Sequence, residues 1–186
     1  LAGFHGDDCT AIIEWLKDGQ PEVAAQCVLE SGAGLARPDS TFSELAAAWR
    51  PRLLVDPRPE ARAAIGRALG RLHLDNRNGV GCRDGVPDID WVSIDGGEFS
   101  YQKGERPRIE AFRMARYPIT NAQYQAFLDD PEGYANDEWW TGLTEPDRTP
   151  ATGRWSEPNH PRESVSWYEA MAFCRWLSAR RNEPIR

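Results

Sequence analysis

No apolar run in this chain approaches the roughly 18 residues that a membrane-spanning helix needs, so no membrane partner is expected. Cysteine is sparse, at positions 9, 27, 82 and 174. Cys9, Cys27, Cys82 and Cys174 form no CxxC pair and match no zinc spacing. Cys27 and Cys174 fall in apolar helical stretches, where a buried free thiol is the ordinary outcome, and a reducing cytoplasm is the expected compartment. Histidine is as scarce: His5, His73 and His160 lie far apart and make no ligand cluster by themselves. Basic residues are outnumbered, 22 against 29 acidic ones, and the net charge of -7 argues against a nucleic-acid partner. No signal-peptide pattern is visible, although the chain begins at Leu1 rather than Met.

What is present suits a soluble globular chain of one or two domains, with 40 % hydrophobic and 27 % charged residues. Residues 1–75 read as helical. Thr10–Lys17 is a short amphipathic helix stopped at Asp18-Gly19. Pro21 suits a first helical position, and Gly32 and Gly34 break the helix that follows. Thr41-Phe42-Ser43-Glu44 can form a capping box before Leu45–Trp49, which Pro51 then stops. Pro59–Leu69 gives a further helix ending near Gly70. Short helices in series fit degenerate HEAT-like repeats or the tail of a larger helical protein. Residues 76–88 are rich in turn formers and read as a linker. Their glycines make no phosphate loop, because no Lys-Ser/Thr follows and no helix opens behind them.

From residue 89 to 186 the pattern changes. Trp91–Ile94 and Glu98–Tyr101 alternate around Asp95-Gly96-Gly97, which predicts a hairpin. Arg108–Tyr117 is a further extended segment, in which Arg113 and Arg116 are expected to face solvent or an acidic loop. Thr120 and Gln123 cap a helix that ends at Asp129-Asp130-Pro131, with Asn121 supporting its start. A longer helix opens at the capping box Ser166-x-x-Glu169. Its apolar positions Trp167, Ala170, Met171, Cys174 and Leu177 form one stripe, and Phe173 and Trp176 widen it, so burial on more than one side is expected. Residues 132–163 lack any period. In that loop Trp139, Trp140 and Trp155 either plug it onto the domain or form an exposed aromatic platform for a ligand. Asp129 with Asp130, and Asp137 with Glu138, offer oxygens for a calcium ion or are simply solvated. His160, before Pro161, is expected to fix a loop.

Three motifs occur in order: Trp91-Val92-Ser93-Ile94-Asp95-Gly96-Gly97-Glu98-Phe99, Tyr117-Pro118-Ile119-Thr120-Asn121-Ala122-Gln123-Tyr124, and Asn159-His160-Pro161-Arg162-Glu163-Ser164-Val165-Ser166-Trp167-Tyr168-Glu169-Ala170. Together they resemble the formylglycine-generating-enzyme (sulfatase-modifying factor) family, over about residues 88–186. The resemblance implies an α+β, C-type-lectin-like fold: a small twisted antiparallel sheet, two helices and long loops. Ser166, Trp167, Glu169, Trp176 and Asn121 would then be structural motif residues.

The resemblance leaves function open. Cysteine-oxidising members use a copper-binding cysteine pair in the later half of the domain, where calcium ligands also lie. Sulfoxide synthases in the family use a nonheme iron held by histidines, and other members are ligand-binding receptors. These 186 residues hold no catalytic constellation, so no cofactor is expected among them, and calcium or copper would belong to a downstream half. The expectation is therefore a noncatalytic recognition module for a protein or peptide ligand, the sensor end of a STAND-type ATPase or a retroelement-diversified variable protein. The alternative is a formylglycine-generating oxidase or a nonheme-iron enzyme whose catalytic residues lie after residue 186. The family would continue past Arg186, so the expected partner is the C-terminal remainder of the same domain. It would be either a protease-cut piece held non-covalently or sequence left out here.

Overall fold

The computed structural model describes residues 9–30, 39–144 and 148–186. His5, Gly32 and Gly34 lie outside the described residues. The chain divides into two compact units, one of residues 1–76 with 153–160, the other of residues 77–152 with 161–186. No helix among the described residues is long and apolar enough to cross a membrane.

The first unit is helical: α1 (Thr10–Leu16), α2 (Pro21–Glu30), α3 (Asp39–Val55) and α4 (Pro59–Arg71). Pro21 and Pro59 each occupy the first helical position, where a missing N–H costs nothing. The core gathers Ile13, Ala24, Val28, Leu45, Trp49, Ile65 and Leu69. Pro51 does not stop α3, which runs on to Val55. Tertiary anchors on both sides of the proline hold the helix and outweigh its local cost. Trp49 Nε1 donates to Lys17 O at 2.9 Å, Arg50 donates twice to Leu74 O, and Arg52 reaches Asp18 and Asp56. The helix also begins at Asp39, so Thr41 lies inside it rather than capping it.

Residues 153–160 form a strap seated on this unit. Asn159 Nδ2 donates to Gly66 O and to Asp75 Oδ2, each at 2.7 Å, and Arg71 holds Glu157. A Cβ at residue 70 would lie 2.1 Å from Asn159 Oδ1, so a larger residue there would displace the Asn159 amide from its present place. His160 Nδ1 sits 3.5 Å from Glu157, in line with a loop-fixing role.

Glu22 and Arg67 join α2 to α4 through two 2.8 Å hydrogen bonds. The hydrogen bond from Arg67, more than any other interaction, holds the Glu22 carboxyl below its ordinary value of 4.5. Its stabilisation is full above that ordinary value and is lost as pH falls through the depressed folded one. The helical unit should therefore lose urea resistance as pH drops below 4.5. An Arg67→Gln variant should show a flatter acid limb when helicity is followed by circular dichroism across that range.

The second unit is α+β, with strands β1 (Cys82–Arg83), β2 (Val86–Pro87), β3 (Trp91–Ile94), β4 (Gly97–Glu98), β5 (Arg108–Ile109) and β6 (Phe112–Ala115), and helices α5 (Asn121–Asp129) and α6 (Trp167–Arg181). Residues expected as a linker carry the β1–β2 hairpin, and Gln123 fastens that region to α5. The Trp91–Ile94 strand does not pair with its near neighbour. It pairs antiparallel with β6, from Trp91↔Ala115 to Ile94↔Phe112, and β4 pairs with β5. Asp95-Gly96-Gly97 is a kink within a long hairpin whose turn lies at Gln102–Gly104. Gly96 permits the kink: a Cβ there would meet Ala111 N at 2.7 Å and Ile109 O at 2.8 Å.

Both capping boxes expected in this unit form, at Thr120/Gln123 and Ser166/Glu169. Between α5 and α6 lies an aromatic core. Tyr124 stacks on Phe173 at 5.6 Å, and Phe127 packs on Trp176 at 5.1 Å. The buried face of α6 is Glu169, Ala172, Phe173, Trp176 and Leu177. The expected stripe is thus shifted: Trp167 is 64 % exposed, while Ala170 and Cys174 face a cleft. The helix has two apolar sides, and α5 covers only one.

Candidate functional site

The second unit holds an apolar cleft of about 510 Å³ between the β3–β6 ladder and the outer side of α6. Trp91, Phe112 and Met114 line it from the strands. Val165, Ala170 and Cys174 line it from α6 and the chain leading into it, and Ile119 and Tyr124 close its floor. Among the described residues, three arginines reach it, Arg113, Arg162 and Arg186, and no acidic side chain lines it.

The chain around α6 sets up the polar end of this cleft. Arg162 N donates to Ile119 O at 2.8 Å, which fixes the backbone beside α5. The guanidinium lies 4.8 Å from the Tyr124 ring centroid, and Nη2 donates to Ala151 O. Its Nε is buried with no hydrogen-bond partner among the described residues. Arg113, by contrast, is paired with Glu183 at 3.1 Å and stacked over Trp91.

Beneath Tyr124 lies a buried carboxylate. Glu169 is 7 % exposed. Its Oε2 accepts the Ser166 N–H at 2.8 Å, closing the capping box. Its Oε1 accepts the hydroxyls of Tyr134 at 3.1 Å and Tyr124 at 3.4 Å. Burial, and then the neighbouring Glu169 charge, push the Tyr124 hydroxyl well above the ordinary phenol range, so it remains a hydrogen-bond donor. Burial likewise pushes the Cys174 thiol up, which keeps it protonated and a poor metal ligand.

The residues expected to bind ligand fall in both units. Trp140 is 2 % exposed, donates to Tyr134 O at 2.9 Å and meets the Tyr134 ring edge-on. It is a core residue, with Arg148 over its ring. Trp139 donates to Glu132 O, and its own carbonyl accepts from Arg175. Trp155 is a strap residue of the first unit, edge-on to His160. The loop-plugging reading thus describes Trp140, and no three-tryptophan platform is assembled within either unit. Among the structural residues, Asn121 opens α5, Ser166 caps α6, Glu169 is buried as described, and Trp176 donates to Asp130 at 2.8 Å. Three of the four carboxylates weighed for calcium are engaged by protein groups: Asp129 with Gln125, Asp130 with Trp176 and Arg180, and Asp137 with Arg148.

Arg162 and Tyr134 escaped the sequence reading. Arg162 sits in a motif otherwise read for its helix cap, and Tyr134 in a stretch without period. The signal available was the second apolar side of α6, which had to face something.

The described residues contain no group of three His, Cys, Asp or Glu side chains able to hold a metal ion. The described histidines, His73 and His160, and the raised Cys174 thiol do not fit an iron or copper site.

Residues 83–181 match the model of the sulfatase-modifying factor enzyme 1-like domain. The hercynine oxygenase of Mycolicibacterium thermoresistibile is 34 % identical over 98 residues, covering 41 % of this chain and 22 % of that protein. The hercynine oxygenase of Mycobacterium tuberculosis is 33 % identical over 99 residues, covering 41 % and 23 %. That of Mycolicibacterium smegmatis is 32 % identical over 98 residues, with the same coverage as the second. The match thus spans less than a quarter of the length of these relatives. No solved structure matches.

Proposed function

Because the chain belongs to the family of sulfatase-modifying factor enzyme 1-like domains, we propose that it is part of an oxygenase acting on hercynine or a related betaine, and not a free-standing recognition module. The observation that carries this reading is the 32–34 % identity to three proteins that are all hercynine oxygenases. Nothing comparable supports the sensor or variable-protein reading. In this proposal residues 83–181 form a scaffold with a C-type-lectin-like fold, as the short antiparallel ladders and the α5–α6 pair suggest. The aromatic core and the buried Glu169 network keep α6 in place against α5, and the cleft side of α6 meets the rest of the enzyme.

The described residues do not fit a redox metal, so no step is assigned to one here. What these residues do is structural and electrostatic. Glu169 anchors two tyrosine hydroxyls in a site screened from water, where such bonds strengthen. Arg162 presents a cation at the polar end of an apolar cleft.

The test is oxygen uptake and loss of hercynine, followed by mass spectrometry, with the natural full-length polypeptide. Hercynine-dependent oxygen consumption is expected. Tight binding of a peptide or protein by that polypeptide, with no turnover of hercynine or other betaines, would sink the oxygenase reading.

A further inference from the structure

The helical unit carries an inference about its cysteines, Cys9 and Cys27, which is independent of the hercynine reading. α1 and α2 pack against each other, and the connection between them is tight. Lys17 N–H donates to Ile13 O at 2.9 Å, Gln20 N–H to Leu16 O at 2.7 Å and Ala24 N–H to Gln20 O at 3.0 Å. A connection this short turns the second helix back along the first. Counted outward from the turn, Leu16 stands level with Pro21, Ile13 with Ala24, and Cys9 with Cys27 and Val28. Burial follows that register: Cys9, Ile13, Leu16, Ala24 and Val28 belong to one core cluster, and Cys27 packs on it. The flank of α2 is fixed as well. Arg67 of α4 holds Glu22, so that side of α2 belongs to α4. Cys27 lies about 140° around the helix from Glu22 and one turn from Ala24, on the side left for α1. Ala24 and Ala25 are fully buried. Side chains this small let α1 approach closely, toward the Cα spacing of about 7 Å or less that a disulfide needs.

We propose that Cys9 and Cys27 form a redox-sensitive lock: thiols under reducing conditions, and a reversible disulfide fastening α1 to α2 when a small-molecule disulfide is present. Access sets the order of the steps. Cys9 is 0 % exposed, whereas Cys27 is half-buried. Cys27 therefore reacts first. It loses its proton, its sulfur attacks the S–S bond of the reagent, and one half of the reagent leaves as a thiol. The Cys9 sulfur, losing its proton in turn, attacks the Cys27 sulfur, the mixed disulfide breaks, and the other half leaves as a thiol. Two protein thiols are oxidised, and one reagent disulfide is reduced to two thiols that carry both protons. The lock has something to hold. α1 is 7 residues long, too short to persist as a helix without tertiary support. Trp49 and Arg52 of α3 bind the turn at Lys17 and Asp18, and the disulfide secures the opposite end of the hairpin.

The test uses the whole 186-residue chain and glutathione disulfide. After timed exposure the remaining thiols are alkylated with N-ethylmaleimide, and the monomeric fraction is cut with trypsin. Cleavage after Lys17 separates Cys9 from Cys27, so only a bond between the two joins those peptides. The joined pair is expected as the principal product, ahead of any pair that includes Cys82 or Cys174. Repeating the reaction in concentrated urea controls for closeness along the chain. There the ratio of joined pair to glutathionylated Cys27 should fall about tenfold, because the native register no longer presents Cys9. In the joined chain, hydrogen exchange at the α1 amides should slow about tenfold relative to the reduced chain, and dithiothreitol should reverse it. Cys27→Ala should show neither effect while keeping the helicity of the native chain by circular dichroism. The proposal is overturned if Cys27 stops at the glutathione adduct, if the ratio is unchanged in urea, or if exchange at α1 does not slow. None of these readouts involves oxygen uptake or hercynine, so failure here and failure of the oxygenase reading are separable.

Discussion

Replacing Gln123 by leucine should destabilise the second unit by about 4 kcal/mol, the largest effect expected from any polar substitution in it. Gln123 is fully buried, yet it faces main chain rather than side chains. Its Nε2 donates to Gly79 O at 3.2 Å, Gly81 O at 3.2 Å and Asp88 O at 2.6 Å, and its Oε1 accepts the Thr120 N–H at 3.0 Å. One amide therefore ties the turn before β1, the end of the β1–β2 hairpin and the start of α5. Leucine has nearly the same volume and leaves no cavity, so the loss comes from stranded polar groups. The Gly79 and Thr120 ends are buried and cannot turn to water, whereas the Asp88 and Gly81 carbonyls are less enclosed and can rehydrate in part. Gln123→Glu should be nearly as costly, because a carboxylate keeps the acceptor for Thr120 but supplies no donor to three carbonyls. Urea unfolding followed by tyrosine and tryptophan fluorescence measures both. A loss under 1 kcal/mol for the leucine variant would show that these bonds do not hold the hairpin.

Trp176→Ala should cost about 3–5 kcal/mol, the range for emptying a large aromatic site. Trp176 is buried against Phe127 at 5.1 Å and Phe173 at 5.6 Å, and its Nε1–H donates to Asp130 at 2.8 Å. The substitution removes ring contacts at the centre of the α5–α6 pair and a donor to a carboxylate that Arg180 also holds. Trp176→Phe separates the two parts: it retains most of the packing and loses only the hydrogen bond, so about 1–2 kcal/mol is expected. Trp167→Ala is the internal control. Trp167 belongs to the same helix but lies open, so truncating it should change stability by no more than about 0.5 kcal/mol. Equal losses at Trp167 and Trp176 would contradict the orientation of α6 described here.

That contrast shows where sequence reasoning succeeded and where it stopped. Two of the three expected capping boxes, Thr120/Gln123 and Ser166/Glu169, form in the structure, legible because a box needs only four consecutive residues and local backbone geometry, whereas the helix around Thr41 starts earlier, at Asp39. The second role of Gln123 was not legible, since its three carbonyl partners lie 35 to 44 positions away in the chain. A period of 3.6 residues revealed that α6 is apolar on more than one side. It did not reveal which side meets α5, because Trp167 and Trp176 score alike on any hydropathy scale. Strand pairing went the same way. Alternation marked Trp91–Ile94, but its partner is Phe112–Ala115, and the intervening kink rests on the absence of a Cβ at Gly96. Pro51 was read as a helix stop because local cost is all that sequence displays, while the bonds from Trp49, Arg50 and Arg52 that override it are tertiary.

By itself the sequence determined the helical first half, the α+β second half, both helix starts of the second unit and the family. Each of these depends on short-range pattern or on ordered motifs. Only the tertiary structure decided that Trp140 is core and Trp155 belongs to the strap of the other unit. It alone placed Arg162, its Nε without a partner among the described residues, at an arginine-lined apolar cleft. Burial and partnership are properties of distant chain segments brought together, and no local pattern encodes them.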